Sequence, residues 1–476
     1  MTLSPNMRPV LQLRWRVEGA TLVYYGLRRW PNTLRRTLFI GGRTARLVAT
    51  LDGVRPLSAY PPSPVLRRLI RMGIVVDVRD RRVLPQGLGQ ARFCVNCAAN
   101  DYTIPGLELD EAGLCPMCHS RKRFARLKNV LPVLDRIPDA PGRKYDAAVF
   151  YTGGKDSSYL LYYLARERGL RVLALCWQTP FMSDWARQSV EHARRALPEV
   201  DFLVEAAPED ELRRIYRRVY ELQGNVCICP SVAYVLFFAR LAEWRVPYLV
   251  LGNEPAQCLN LLYNGMAPPL AFRPWAQALA RGGANLLRLL TLHPPFRRGQ
   301  LELYLTVRQL AFGPHPLLKL IRYKNELVEH TCEGLSQAPA LMAPFRRAVR
   351  RAGRTGRLPA LVHVDLDAAA GGVYRWEDVK GTLKREMGWV DAPQEGKGLH
   401  TSCAIERCKE WSQFTRFRAM ESGVIPFSAI ELSLASAGGA LTREQAVREL
   451  ECHTGFTPSP PPETALVEAF LAGEPG

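Results

Sequence analysis

Between an apolar run, "DAAVF", and a segment with helical periodicity, "YLLYYLARERGL", the chain carries Thr152-Gly153-Gly154-Lys155-Asp156-Ser157-Ser158. A strand, a glycine-rich turn and a helix in that order present backbone N–H groups and a helix N-terminus to a phosphate. Gly153 and Gly154 permit close backbone approach, Lys155 brings positive charge, and Ser157 and Ser158 bring hydroxyl donors. A Walker A loop would need glycine at 149 and Ser or Thr at 156. The chain has Val149 and Asp156 there, which disfavours γ-phosphate transfer of the P-loop kind.

A second constellation is Cys94-x2-Cys97-x17-Cys115-x2-Cys118. Two CxxC pairs at this spacing offer four thiolates to a tetrahedral Zn²⁺, and a site filled by protein on all four sides is structural. An iron–sulfur cluster is the other occupant such thiolates accept. A third set comprises Cys227 and Cys229 in "NVCICP", with Cys403 and Cys408 in "HTSCAIERC" beside His400. It reads as a second metal or sulfur-transfer site, or as small buried cysteines without chemistry. No G-x-C-x-G elbow occurs, so a glutaminase nucleophile has no signature here.

The elements that must position these residues follow from patterning. Short apolar runs ("DAAVF", "RVLALCW", "DFLVEA", "PYLVLG") alternate with helical patterns from Lys144 to about Asn260. That rhythm predicts βαβ units, hence an α/β fold with a doubly wound parallel sheet. At 476 residues the chain exceeds one ordinary core. The expected order is a small winged-helix-like module (1–90), the four-cysteine knot (91–128) and the α/β domain that carries the glycine-lysine loop (129–262). A basic amphipathic insertion (263–360), a helical C-terminal part (361–455) and a Pro-rich tail (456–476) follow. Hydrophobic content of 47% and charged content of 23% suit a soluble globular protein. The net charge of +19 suits nucleic acid, phosphorylated substrates or an anionic surface without choosing among them. For "FRRAVRRAGRTGR" the readings are a solvated charged face or an anion- or membrane-contacting surface. No secretory signal is evident, and the longest apolar stretch falls short of the roughly 18 residues a spanning helix needs. The twelve cysteines are therefore expected to be cytoplasmic thiols.

The glycine-lysine loop resembles the PP-loop, "SGGKDS", of the ATP pyrophosphatase superfamily, with Thr152 keeping the hydroxyl of the usual serine. The resemblance implies that Thr152, Gly153, Gly154, Lys155, Ser157 and Ser158 grip the β,γ-pyrophosphate of ATP with Mg²⁺ while the α-phosphate is attacked. It implies an adenine contact near Cys176 and Trp177, and residues near nucleotide or substrate at Gly252, Asn253 and Glu254. In that picture Lys155, Asp156, Ser157, Asn253 and Glu254 are the catalytic candidates.

The stretch "TIPGLELDEAGLC" is similar to the one preceding the loop in N-acetyl sugar amidotransferases of surface-polysaccharide biosynthesis. "YRWEDVKGTLKREMGWVDAP", "LHTSCAIERCKEW" and "ALTREQAVREL" resemble that family's C-terminal part. This implies adenylation of an acetamido oxygen, release of pyrophosphate and displacement of AMP by ammonia, supplied free or by a separate glutaminase. Superfamily members that thiolate tRNA carry a cysteine pair about as far beyond the loop, which implies a sulfur transferase acting on tRNA or a peptide through Cys227 and Cys229. Residues 1–90 resemble the peptide-recognition domain of enzymes that modify ribosomal peptides. A nucleotide- or peptide-binding scaffold without catalysis is the third reading.

Overall fold

The computed structural model describes residues 4–28, 37–119, 143–253, 255–266, 273–316, 325–393, 399–400, 402–452 and 454–473. Ten strands are described: β1 Pro9–Leu11, β2 Trp15–Glu18, β3 Thr21–Tyr24, β4 Thr37–Phe39, β5 Val75–Asp77, β6 Ala147–Phe150, β7 Val172–Trp177, β8 Asp201–Glu205, β9 Tyr248–Asn253 and β10 Ala360–Asp365. The apolar runs β6 and β7 are buried almost throughout, as strands covered by helices on both faces must be. They lie in one parallel sheet of order β10-β9-β6-β7-β8. From β6 the chain winds through β7 to β8, then returns to the other side of β6 for β9 and β10. The strand order thus reverses beside β6, where open α/β sheets form their ligand crevice.

β10 comes from a region that the sequence reads as mainly helical. "ALVHVD" is a fully apolar run up to His363, and it pairs in register with β9 from Ala360 opposite Tyr248 to Asp365 opposite Asn253. The basic insertion is therefore a long crossover between neighbouring strands. Its helices Gln300–Phe312, Glu326–Ser336 and Pro339–Thr355 pack on helices Glu209–Gln223 and Cys229–Glu243. Phe345 meets Phe238 edge-on at 5.9 Å, and Leu341 N–H donates to the Glu211 carboxylate at 3.2 Å.

The N-terminal module has its own core around Trp15, Leu22, Tyr24, Leu66 and Ile74. The last strand of the module, β5, pairs antiparallel with β1, and the Asp77 carboxylate ends it by accepting from Arg8 N–H and from Arg79. Buried Arg14 joins the module to the C-terminal helices by donating to the carbonyls of Phe417 and Arg418. Burial lowers its guanidinium to about 10. The Pro-rich tail is not extended to its end. Its apolar "TALVEAFLA" forms helix Thr464–Ala472, which lays Phe470 against Phe181 and Tyr216 at ring distances of 5.4 and 5.8 Å.

Candidate functional site

The glycine turn follows β6, and helix Lys155–Tyr162 begins directly after it. Gly153 has φ of +72°, and a Cβ there would stand 2.4 Å from the Ala186 carbonyl oxygen, so only glycine fits. The Trp389 indole N–H donates to the Gly153 carbonyl at 2.9 Å and pins the turn from the other side. Ser157 Oγ receives the Thr152 N–H at 3.2 Å and donates to the Gly154 carbonyl at 3.1 Å, while Thr152 Oγ1 lies 3.1 Å from it. Thr152 and Ser157 thus close the turn with hydroxyls on its accessible side. Ser158 points inward, fully buried, toward the Tyr151 hydroxyl.

Lys155 pairs with Asp156, and its ammonium lies over the rings of Tyr374 and Trp376 at 4.4 and 4.7 Å. Asp156 also accepts from the Tyr374 hydroxyl at 2.8 Å and from Gln257 Nε2 at 2.9 Å. Burial opposes its charge, but Lys155, His400 and Tyr374 outweigh burial and hold the carboxyl below its ordinary value. Gln257 bridges onward to Glu431 at 3.2 Å, and Glu431 meets His400 Nε2 at 3.1 Å. Burial alone would discharge His400; Glu431 and Glu406 reverse that and raise it to about 10. Lys409 closes the chain on Glu406 at 2.9 Å, and burial followed by Glu406 pushes neighbouring Glu410 up to about 7. A charged network therefore runs from the loop into the C-terminal helices. A cavity of about 100 Å³ opens onto the loop between Lys155, Trp376, Lys380, His400 and Ser402.

Segment 402–404 is fastened beside this turn. Ser183 N–H donates to the Ser402 carbonyl at 3.2 Å and Ala404 N–H to the Phe181 carbonyl at 2.9 Å. A Cβ on Gly154 would touch Ser402 at 3.5 Å. Cys403 follows Ser402 and packs against the same hydrophobic core as Cys229, although 174 residues separate the two. Cys227 is reached by solvent, whereas Cys229 and Cys403 are half-buried. Burial pushes the Cys229 and Cys403 thiols up, Cys229 to about 12. The Tyr216 hydroxyl is fully buried beside Cys229. Cys408 lies elsewhere, buried on helix Glu406–Arg418 with Thr464 Oγ1 at 3.7 Å.

The four knot sulfurs lie within 4.8 Å of one another, with Cys94–Cys118 at 3.8 Å and Cys97–Cys115 at 3.7 Å. Zinc–thiolate bonds of ~2.3 Å arranged as a tetrahedron give edges of about 3.8 Å, so the donor set fits a single ion of that kind. Backbone N–H groups of Cys115 and Cys118 point at the sulfurs of Cys94 and Cys115 at 3.4 Å. His119 is turned aside to Asp110. The knot braces the C-terminal helices: Arg443 donates to the Cys94 carbonyl at 3.2 Å, and Ala98 N–H to Ser436 Oγ at 3.2 Å.

The other sequence candidates are placed less informatively. Cys176 is buried inside β7, and burial raises its thiol to about 12. Trp177 ends the same strand with its indole N–H buried and unpartnered among the described residues. Gly252 and Asn253 end β9 near the loop helix, a Cβ on Gly252 meeting Leu160 at 3.0 Å. Glu254 lies outside the described residues. Asp365 and Asp367 serve a strand-end turn, and Asp367 receives the Tyr374 N–H at 3.0 Å, thereby setting Tyr374 over the loop. Sequence reasoning missed Gln257, Tyr374, Trp389 and Glu431. The aromatic residues in "YRW" and "GWV", inside blocks already singled out, were the available signal for two of them.

No family model matches the chain, and no curated protein matches it. Among solved structures, the chain is similar to the U34-tRNA thiolase NcsA from Methanococcus maripaludis with its [4Fe-4S] cluster. Identity is 16%, the match covers 55% of this chain and 88% of that one, and the TM-score is 0.24. A likeness so slight transfers no function.

Proposed function

We propose that the chain is an ATP-dependent, AMP-forming transferase of the PP-loop kind that replaces an activated oxygen by sulfur. The observation that carries this reading is that Cys403, on the segment fastened beside Gly154 of the loop, packs against the same core as Cys229 of the Cys227/Cys229 pair. The glycine turn, Lys155 and the helix N-terminus hold the pyrophosphate end of ATP with Mg²⁺. An acceptor oxygen attacks the α-phosphorus, the bond to the β-phosphate breaks and pyrophosphate leaves. A sulfur nucleophile then adds to the carbon bearing the adenylated oxygen, and AMP departs with that oxygen. Cys227, Cys229 and Cys403 are the residues that would hold an iron–sulfur cluster, which would supply sulfide as the nucleophile. The buried Tyr216 hydroxyl lies beside Cys229. Asp156, Gln257, Glu431 and His400 position Lys155 and the turn, and the knot holds Zn²⁺ as a brace.

A second reading is kept because of a specific observation. Trp389, Tyr374 and His400, all in blocks resembling N-acetyl sugar amidotransferases, assemble around the loop. In that reading ammonia takes the place of sulfur and the three cysteines are not required. Exchange of labelled pyrophosphate into ATP with candidate acceptors tests the shared first step, and formation of ADP would overturn both readings. Cys227→Ser and Cys403→Ser separate them. Loss of product with retained exchange supports sulfur transfer, and undiminished ammonia-dependent turnover supports amidotransfer.

A further inference from the structure

Helix Pro274–Leu290, in the crossover between β9 and β10, is mounted inside-out. None of its 17 residues is buried. Trp275, Leu279, Leu286, Leu289 and Leu290 are each between 60% and 72% exposed, and Leu292 just beyond is 94% exposed with φ of +57°. Trp275, Leu279, Leu286 and Leu290 are spaced four, seven and four residues apart, which aligns them in one stripe. The polar residues face the protein. Asn285 exchanges two hydrogen bonds with the Phe296 backbone at 2.7 and 2.9 Å. Arg288 donates to the carbonyls of Pro294 and Gly353 at 2.6 and 2.5 Å, its guanidinium 3.8 Å from the Phe296 ring centre. An amphipathic helix ordinarily buries its apolar side, so this one is held for an apolar medium outside the chain.

The surroundings specify that medium. Residues 255–301 and 334–364 contain eleven arginines and no carboxylate, and the Arg288–Gly353 contact brings the two stretches together. Beside the helix end, a cavity of about 680 Å³ is lined by Lys144, Trp244, Arg245, Arg297, Gly356 and Arg357. Among the described residues no carboxylate pairs with Arg245, Arg297 or Arg357. The cavity lies where β6, β9 and β10 begin, whereas the glycine turn lies where β6 ends. Among the described residues no helix is long and apolar enough to cross a membrane.

We propose that this face seats the chain on a bilayer of anionic phospholipid. The leucine stripe enters the headgroup–acyl boundary, and the arginine cavity receives headgroup phosphates. Apolar insertion and electrostatic attraction act together in this kind of peripheral binding. Seated so, the chain keeps its glycine turn on the side away from the lipid. The seat is independent of which group the enzyme transfers.

The test is co-sedimentation of the full chain with vesicles of mixed phosphatidylglycerol and phosphatidylcholine, against vesicles of phosphatidylcholine alone. Binding at least about tenfold stronger to the mixed vesicles is expected, falling as salt is raised. Leu286→Gln/Leu289→Gln/Leu290→Gln together should weaken it by at least about tenfold with an unchanged melting curve, because these side chains contact little protein. Arg297→Gln/Arg357→Gln together should weaken binding to the mixed vesicles alone by roughly tenfold. Absence of sedimentation, or equal binding to both compositions, overturns the proposal. It is also overturned if the leucine variant abolishes self-association of a chain that binds no vesicles, since a second copy would then cover the stripe. Full binding by the arginine variant removes the cavity from it.

Discussion

Two groups of cysteines in the chain are built oppositely. Cys94, Cys97, Cys115 and Cys118 form a closed set: three are buried, all four sulfurs face one point, and N–H groups are aimed at them. Cys227, Cys229 and Cys403 are an open group: they come from two distant segments, none is fully buried, and the Tyr216 hydroxyl lies beside Cys229. A metal enclosed by four thiolates has no position left for a substrate and contributes to folding, whereas a three-sided set leaves room for a reacting atom. Nearly the same residue types would therefore serve stability in the closed group and, under the proposed sulfur transfer, reactivity in the open one.

The largest expected effect breaks the closed set. Cys97→Ser should cost the brace much of a metal-binding free energy on the order of 10 kcal/mol. Metal analysis should show loss of bound ion, and the melting transition should fall sharply or vanish. In the open set, Cys403→Ser should leave that transition nearly in place, and a collapse there would erase the contrast.

Lys155→Ala should reduce pyrophosphate exchange by roughly 10²–10³-fold, the scale of losing a preorganised charge at a reacting phosphate. Far-UV circular dichroism should be unchanged, because the lysine head lies on aromatic faces at the mouth of the cavity. Gly153→Ala forces a left-handed φ and a backbone clash at 2.4 Å, which should cost about 2–4 kcal/mol in denaturant unfolding.

The smallest effect concerns pH. His400 rises from 6.5 in the unfolded chain to about 10 in the fold, so its contribution to stability is complete below pH ~6.5. It is lost as pH climbs through about 10. The melting temperature of the native chain should therefore fall more steeply on the alkaline side than that of His400→Gln. Parallel profiles would remove His400 from the charged network.

How far the sequence could be read differs by region, for physical reasons. Four of the five parallel strands are legible because a strand covered on both faces must be an unbroken apolar run. β10 escaped because its partner β9 lies beyond a crossover of about a hundred residues, and apolar "ALVHVD" alone does not announce which edge it joins. The knot is legible from spacing, since two CxxC pairs determine most of their own geometry. Ser158 shows the opposite case: its place in the motif suggests an exposed donor, but one residue further along the helix it faces the core.

The sequence by itself determined the chemistry-bearing turn, the closed cysteine set and the rhythm of the sheet, because each depends on residues within a short span. Tertiary structure alone decided that Gln257, Tyr374, His400 and Glu431 form one network behind Lys155. It also decided that Cys403 packs on the same core as Cys229, and that the leucines of Pro274–Leu290 face outward. These arrangements join segments more than a hundred residues apart, or depend on which face of a helix meets its neighbours. Packing of the whole core sets both, and no local pattern encodes either.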